Sequence, residues 1–426
     1  MSKPTKNKLV PALRFPEFKN DGEWTITTIE DNCSVKGRIG YRGYTTEDLV
    51  ENGQGAFVLG GKHIQNQVLD LSEPTFLSWD KYYESPEIMV EIGDIIFSQR
   101  GTLGDCAIIE RGIGPATINP SMVLLKNINC DAKFLYYILI GEGIQKEVQK
   151  NSTSSAVPML SQKQIKEFPF YIPSLGEQQK IADCLSSLDE LIAAEGEKLD
   201  ALKDHKKGLM QQLFPAEGKT VPALRFPGFK GEWAFEEFAQ YIKLYRGSSP
   251  RPIQNYFTAD AEGVNWIKIG DTKNADNFII NQVEEKITLE GAEKSRKVYI
   301  GELILANSMS FGKTYELAIE GYIYDGWFVL REYEEHFDKH FLLQLLNSDY
   351  MQVQYNKLSA GGIVQNISSD IVYNTILPYT SIKEQQKIAE CLSAVDELIT
   401  TQADRVDALK EHKKGLMQQL FPSPNG

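Results

Sequence analysis

The sequence predicts two α+β globules carried on two long helices that pair as an antiparallel coiled coil with pseudo-twofold symmetry. Three observations lead there. Residues 177–215 and 384–422 spell almost the same helix, with 28 of 39 positions identical at an offset of 207 residues. A shorter repeat precedes each globule: VPALRFPEFK at 10–19 returns as VPALRFPGFK at 221–230, and Gly22-Glu23-Trp24 returns as Gly231-Glu232-Trp233. Between these copies the two halves scarcely resemble each other. A solenoid repeats every 20–50 residues or so, so this is a duplicated domain with a fixed frame and a changeable insert. The chain divides into a first globule (1–175), a first helix (176–216), a second globule (217–382) and a second helix (383–426). That pattern suits an adapter presenting two different recognition modules on one scaffold.

The 426 residues can bury two or three cores. No apolar run approaches the roughly 18 residues that span a bilayer, and MSKPTKNKLV lacks the apolar core of a signal peptide. Five cysteines (33, 106, 130, 184 and 391) show no metal-ligand spacing. These features fit a cytoplasmic protein with reduced thiols. The net charge of −13 opposes a generic nucleic-acid binder. Residues 1–175 carry 18 Lys and Arg against 21 Asp and Glu, and residues 221–383 carry 16 against 21. Any DNA contact must therefore use local basic patches, or a more basic partner.

Ser174-x-x-Glu177 and Ser381-x-x-Glu384 have capping-box spacing, which predicts that each hydroxyl and each carboxylate satisfies an orphan amide. Apolar residues then follow in steps of four and three. In the first helix they are Ile181, Leu185, Leu188, Ile192, Leu199, Leu202, Leu209 and Leu213. In the second they are Ile388, Leu392, Val395, Ile399, Val406, Leu409, Leu416 and Leu420. This is a coiled-coil seam, interrupted equivalently by Glu195/Gln402 and by Lys206/Lys413. Each helix stops at a proline, Pro215 or Pro422, after about 55 Å at the usual rise. The nearest matching stripe is the other copy, so intramolecular antiparallel pairing is the economical arrangement. Packing of each helix on its own globule, or against a second chain, would also cover the stripe. Gly208 and Gly415 lie off the seam, which fits either fraying or close approach of another backbone.

Both globules run through short β-branched segments into a helical stretch, as in EIGDIIFSQRG, ATINPSMVLL and AKFLYYILIGEGIQKEVQ. The second globule repeats the order with YIGELILANSMSFGK, GWFVLREY and DKHFLLQLLNSDYMQVQYN. A twisted, largely antiparallel sheet is expected in each. Gly93–Ile96 and Gly301–Ile304 mark one equivalent strand, and Phe134-Leu135 and Phe341-Leu342 one equivalent helix. Catalytic signatures are weak. Phe311-Gly312-Lys313-Thr314 resembles the end of a phosphate loop, but Asn307 stands where its first glycine belongs. His336-x-x-x-His340 has ligand spacing without a third ligand, Glu284-x-Lys286 is a chance-level nuclease fragment, and Asn119-Pro120 continues as Ser121-Met122.

DNA-reading chemistry is more plausible. Lys36, Arg38, Tyr41 and Arg42 lie in KGRIGYRGY, which interleaves cations, aromatics and glycines. Such a loop can follow phosphates and offer an arginine fork to guanine. Arg246 and Arg251 occupy its counterpart, YRGSSPRP. Gln99, Arg100 and Asn307 lie just past the equivalent strand and suit base edges, while Lys268 and Lys273 suit phosphates. For any single cation, a solvated surface charge is the competing reading.

The VPALRFP…GEW opening, the EQQKIA-x-CL-x-x-x-DELI helix with a proline shortly before it and the HKKGLMQQLFP ending, each present twice, resemble the specificity (S) subunit of type I restriction–modification systems. GRIGYRGYTT, GSSPRPIQNYF and NWIKIGD share that likeness. The resemblance covers essentially the whole chain. It implies a non-catalytic subunit whose two target recognition domains each read one half of an asymmetric bipartite DNA site. The helices would set the spacer and dock two methyltransferase (M) subunits. S-adenosylmethionine would then bind the M subunits, with ATP and Mg²⁺ on two restriction (R) subunits. A coiled-coil adapter joining protein partners without touching DNA is the alternative.

Overall fold

The computed structural model describes residues 9–152, 158–275, 277–308, 312–359 and 367–422. The chain forms two compact units, residues 1–194 with 407–426, and residues 195–406. Each unit therefore holds one insert and part of each long helix.

In the first unit, strands β1 (Ser34–Gly37), β2 (Ile95–Ser98), β3 (Cys106–Ile108) and β4 (Met122–Lys126) form an antiparallel sheet in the order β1-β4-β2-β3. Successive strand side chains point to opposite faces. Ile95, Phe97, Val123 and Leu125 accordingly fill one core, and Ile96, Met122 and Leu124 another. Burial on both faces explains why these segments are apolar without alternation. A second four-stranded sheet contains Ala116–Ile118 parallel to Gly55–Leu59. In this unit the single sheet expected is thus divided into two main sheets and two small pairs, Thr25–Thr28 with Pro169–Ile172 and Ile64–Gln65 with Val68–Leu69. The helical stretch is also divided, into α1 (Ala132–Ile140) and α2 (Glu142–Ser152), because Gly141 is extended at φ −71°, ψ 157°. The long helix α3 (Leu175–Leu213) follows.

The second unit repeats this frame. Strands β5 (Lys243–Arg246), β6 (Leu303–Ala306), β7 (Thr314–Leu317) and β8 (Trp327–Arg331) are ordered β5-β8-β6-β7, with Ile279–Ile280 added parallel at the edge. Leu303, Leu305, Phe328 and Leu330 face one core; Ile304, Ala306, Trp327 and Val329 face the other. Val264–Ile267 lies parallel to Gly321–Ile323 in a second sheet. Helices α4 (Lys339–Asn347) and α5 (Asp349–Ser359) are separated by extended Ser348, and α6 (Ile382–Leu420) ends the fold.

The repeated VPALRFP segments explain the ends of the long helices. Glu177 does not close a capping box. Its carboxylate accepts the Arg14 fork, Nε to Oε1 at 2.8 Å and Nη2 to Oε2 at 2.6 Å, while Arg14 Nη1 donates to the Asp21 and Gly22 carbonyls. Arg225 grips Glu384 equivalently at 2.7 and 2.9 Å. Burial pushes the Glu384 carboxyl up, but Arg225 and the Thr380 hydroxyl outweigh it and hold it below its usual value. Both groups of the Arg14–Glu177 pair are buried, so removing one partner would cost about 3–5 kcal/mol. The same segment binds the opposite helix end: Leu13 N–H donates to the Gln419 carbonyl, and Leu224 N–H to Gln212. Trp24 packs on Phe134 and Phe421, as Trp233 and Phe214 pack on Phe341. The terminal LFP of each helix is thus anchored in the globule that precedes the other helix.

Between these ends the helices run antiparallel. In the second unit, Gln402 Nε2 donates to Glu195 Oε2 at 2.6 Å, and Lys206 meets Asp396 at 2.7 Å. In the first, Lys413 meets Asp189 at 2.5 Å. Of the polar interruptions of the seam, Glu195 and Gln402 therefore meet each other, while Lys206 and Lys413 each meet an aspartate of the opposite helix. Half the seam positions belong to globular cores: Ile181, Leu185, Leu416 and Leu420 to the first, Leu209, Leu213, Ile388 and Leu392 to the second. Leu188, Ile192, Leu199, Leu202, Val395, Ile399, Val406 and Leu409 are buried or half-buried along the bridged stretch. Helix α3 continues through Gly208 and α6 through Gly415, and a Cβ at either would meet nothing within 4 Å.

Candidate nucleic-acid interface

Strand register fixes which loop residues correspond. Leu124 pairs with Lys36 and Ile96, and Val329 pairs with Tyr245 and Ile304. Gly37 therefore corresponds to Arg246, Arg38 to Gly247, Gln99 to Asn307 and Pro120 to Asp325. The loops at these strand ends share one hydrogen-bond frame. Gln99 Nε2 donates to the Pro120 carbonyl at 3.0 Å, and Asn307 Nδ2 to the Asp325 carbonyl at 2.9 Å. The carbonyls of Gln99 and Asn307 accept from Leu160 and Ile367. After each strand the chain reverses at a glycine of positive φ, Gly104 (+84°) or Gly312 (+77°), whose carbonyl accepts from Gln145 or Gln352. Gly312-Lys313-Thr314 is thus a hairpin turn into β7. A phosphate loop needs a helix there, so that fragment has a structural role.

A third equivalence lies at the parallel strands. His63 Nδ1 accepts the Gly60 amide at 2.9 Å, as Asp271 Oδ2 accepts the Lys268 amide at 2.7 Å. His63 is buried and its Nε2–H donates to the Glu73 carbonyl; burial lowers its pKa, which keeps the ring neutral.

On this frame the candidate contacts fall into three groups. Arg38 and Asn307 are turned inward. Arg38 donates to the Ile118 carbonyl at 3.2 Å and Thr117 Oγ1 at 3.0 Å, and its guanidinium lies 5.3 Å from the Tyr44 ring centre. Burial lowers its pKa. These two side chains shape the loops from within. A second group is exposed or half-exposed but ion-paired: Arg42 with Glu87, Arg251 with Asp325, Lys268 with Glu285 and Lys273 with Glu284. Each of these cations is already neutralised by a carboxylate. The third group is the most available. Among the described residues Lys36 is exposed with no ion pair, and the exposed Arg100 side chain hydrogen-bonds only the Met159 sulfur, at 2.8 Å. Exposed Arg246 holds one backbone carbonyl, that of Asp325, at 3.1 Å. Half-buried Gln99 keeps its side-chain Oε1 without a hydrogen-bond partner among the described residues. The Tyr41 side chain lies outside the described residues.

Asp325 escaped the sequence reading. Its carbonyl accepts from Arg246 and Asn307, and its carboxylate accepts from Ser249 Oγ and Arg251. It ties three of the candidate contacts together. Aligning ATINPSMVLL with GYIYDGWFVL would have exposed its place opposite Pro120. His336 and His340 face different partners, the Tyr241 ring at 4.3 Å and Glu316 at 3.8 Å.

The family described as type I restriction modification DNA specificity domain matches residues 23–204 and 235–411, one match for each insert with its following helix. The chain belongs to this family. The MjaVIII type I restriction enzyme specificity subunit of Methanocaldococcus jannaschii is 24% identical over 354 residues, 79% of this chain and 80% of that protein. The solved S subunit of a type I restriction-modification system from M. genitalium matches with TM-score 0.55 and 15% identity over 97% of this chain and 99% of that one. A chain solved in work on complex assembly and conformational transition of the type I R-M system gives TM-score 0.59 and 15% identity over 94% and 98%. These two likenesses concern the fold: two sheet-rich domains joined by long helices. As a specificity subunit, the chain places its divergent loops on a duplicated frame. Among the described residues no helix is long and apolar enough to cross a membrane.

Proposed function

We propose that each unit reads one half of an asymmetric bipartite DNA site, and that the paired helices set the unspecified spacer between the halves. The observation that carries this reading is the shared loop frame bearing different side chains. Gln99 and Asn307 brace equivalent carbonyls, while Arg38 and Gly247, or Gly37 and Arg246, stand at equivalent strand ends. A constant frame with variable tips separates holding from reading, since base edges are distinguished by hydrogen-bond pattern.

In this reading the chain carries no catalytic step. Two methyltransferase subunits dock on the duplicated scaffold and supply S-adenosylmethionine chemistry at one adenine per half-site. Two restriction subunits add ATP- and Mg²⁺-dependent cleavage. The carboxylates beside Lys268, Lys273, Arg42 and Arg251 support a division of labour in which the methyltransferase supplies much of the phosphate grip. The test is N6-methyladenine mapping in a strain carrying the methyltransferase gene with and without this chain. Methylation at one gapped asymmetric motif, present only with the chain, is expected. Methylation unchanged by removing the chain would refute the reading.

A further inference from the structure

The register that matches the loops of the two units also matches a segment beside them. Tyr299 N–H donates to the Glu302 carboxylate at 2.9 Å, as Glu91 N–H donates to Asp94 at 2.8 Å. Arg331 bonds Glu302 and the Lys297 carbonyl, as Lys126 bonds Asp94 and the Met89 carbonyl. Lys297 therefore corresponds to Met89, and Arg296 to Ile88. The charge differs between the two copies. Residues 294–297 read KSRK, whereas residues 84–89 read ESPEIM. Ile88 is fully buried, and Glu87 is spent on Arg42.

Arg296 opens the strand Arg296–Val298, at the edge of the second sheet of its unit. Its Nε donates to the Arg246 carbonyl at 2.9 Å, and its guanidinium lies 5.6 Å from the Tyr245 ring centre. The ring is held in turn, since the Tyr245 hydroxyl donates to Glu332 at 2.7 Å. Ser248 Oγ donates to the Lys294 carbonyl at 3.2 Å and ties the same segment to the loop. Lys294 and Lys297 are paired with Glu290 and Glu320. Half-exposed Arg296 has no ion pair among the described residues, and its two Nη groups have no hydrogen-bond partner there.

We propose that Arg296 grips a DNA phosphate beside the second half-site, at a position where the first unit has only a buried isoleucine. The inference deepens the proposed function and rests on its claim that the second unit reads DNA. Two features select a phosphate. With Nε spent on a carbonyl, the remaining fork suits two oxygens of one anion. Arg296 also holds the backbone of Arg246, so an anchored phosphate fixes the register of Arg246 over the bases, which is what phosphate contacts do. The second half-site then carries a salt-sensitive hold that the first lacks at this position.

The test uses the full-length chain with the co-expressed methyltransferase subunit, and a duplex carrying the motif found by methylation mapping. Arg296→Gln keeps a side-chain N–H for the Arg246 carbonyl and removes the charge. It should weaken binding about three- to tenfold and make the plot of log K against log salt shallower by about one. The loss should be the same on duplexes altered at single base pairs of either half-site. Arg296→Lys should restore the slope. A second measurement needs no variant: methylphosphonate linkages neutralise single phosphates of the duplex. The two methyltransferase subunits contribute alike to each half, so linkages that weaken binding should be more numerous at the second half-site. This scan decides the matter if thermal melting shows that Arg296→Gln does not fold. Unchanged affinity and slope in folded Arg296→Gln, or a loss confined to one base pair, would overturn the phosphate grip and leave the proposed function standing. So would equal numbers of sensitive linkages at the two half-sites. An unsubstituted complex that shows no preference for the motif would overturn the proposed function, and this inference with it.

Discussion

The equivalent strand ends of the two units hold the same two residue types in opposite order. The first reads Gly37-Arg38 and the second Arg246-Gly247, at matched register. A one-residue exchange moves a side chain to the other face of a strand. Arg38 is consequently buried and spends its guanidinium on Thr117 and Ile118, while Arg246 is exposed and spends one N–H on Asp325. The glycines differ as well. A Cβ at Gly247 would lie 1.9 Å from the Tyr324 carbonyl oxygen, whereas one at Gly37 would meet the tip of the Gln162 side chain at 2.5 Å. One backbone frame thus turns the same chemistry into a loop brace in one unit and an outward cation in the other.

The sharpest way to break this comparison is Gly247→Ala. A backbone carbonyl cannot swing aside, so about 3 kcal/mol or more should be lost from the second unit. Hydrogen exchange resolved by unit would show the loss there, with the first unit unchanged. Arg38→Ala should cost the first unit about 1–3 kcal/mol by stranding Thr117 and Ile118, read by denaturant unfolding. Arg246→Ala should leave stability within about 0.5 kcal/mol. It should instead weaken discrimination at the second half-site by about 1–3 kcal/mol, read in DNA competition. Equal stability losses for the two arginines would erase the distinction. The smallest effect should come from Gly37→Ala, where the flexible Gln162 gives way and reduced backbone freedom compensates, for a net change within about 1 kcal/mol.

The scaffold was largely legible in the sequence because its duplication supplied an internal control. The seam positions are buried or half-buried, and the polar interruptions Glu195, Gln402, Lys206 and Lys413 meet partners across the helices. The fate of Glu177 and Glu384 was not legible, since capping-box spacing does not reveal that an arginine more than 150 residues away claims the carboxylate. The candidate site was less readable than the scaffold. Basic and aromatic composition located the loops, but whether a cation faces inward depends on strand register and cross-strand carboxylates. Arg38, Lys268 and Lys273 illustrate both effects.

Antiparallel pairing also refines the spacer idea. Four residues inserted near Leu199 alone would slide Lys206 away from Asp396, so a lengthened spacer requires matched insertions in both helices. The central claim is that each unit reads its own half-site independently. Its most direct test exchanges residues 243–331 for the corresponding stretch of another family member and maps N6-methyladenine in a strain carrying the unchanged methyltransferase. A new sequence in one half of the motif, with the other half and the spacer length preserved, is the predicted result. Changes in both halves, or in the spacer, would contradict the account.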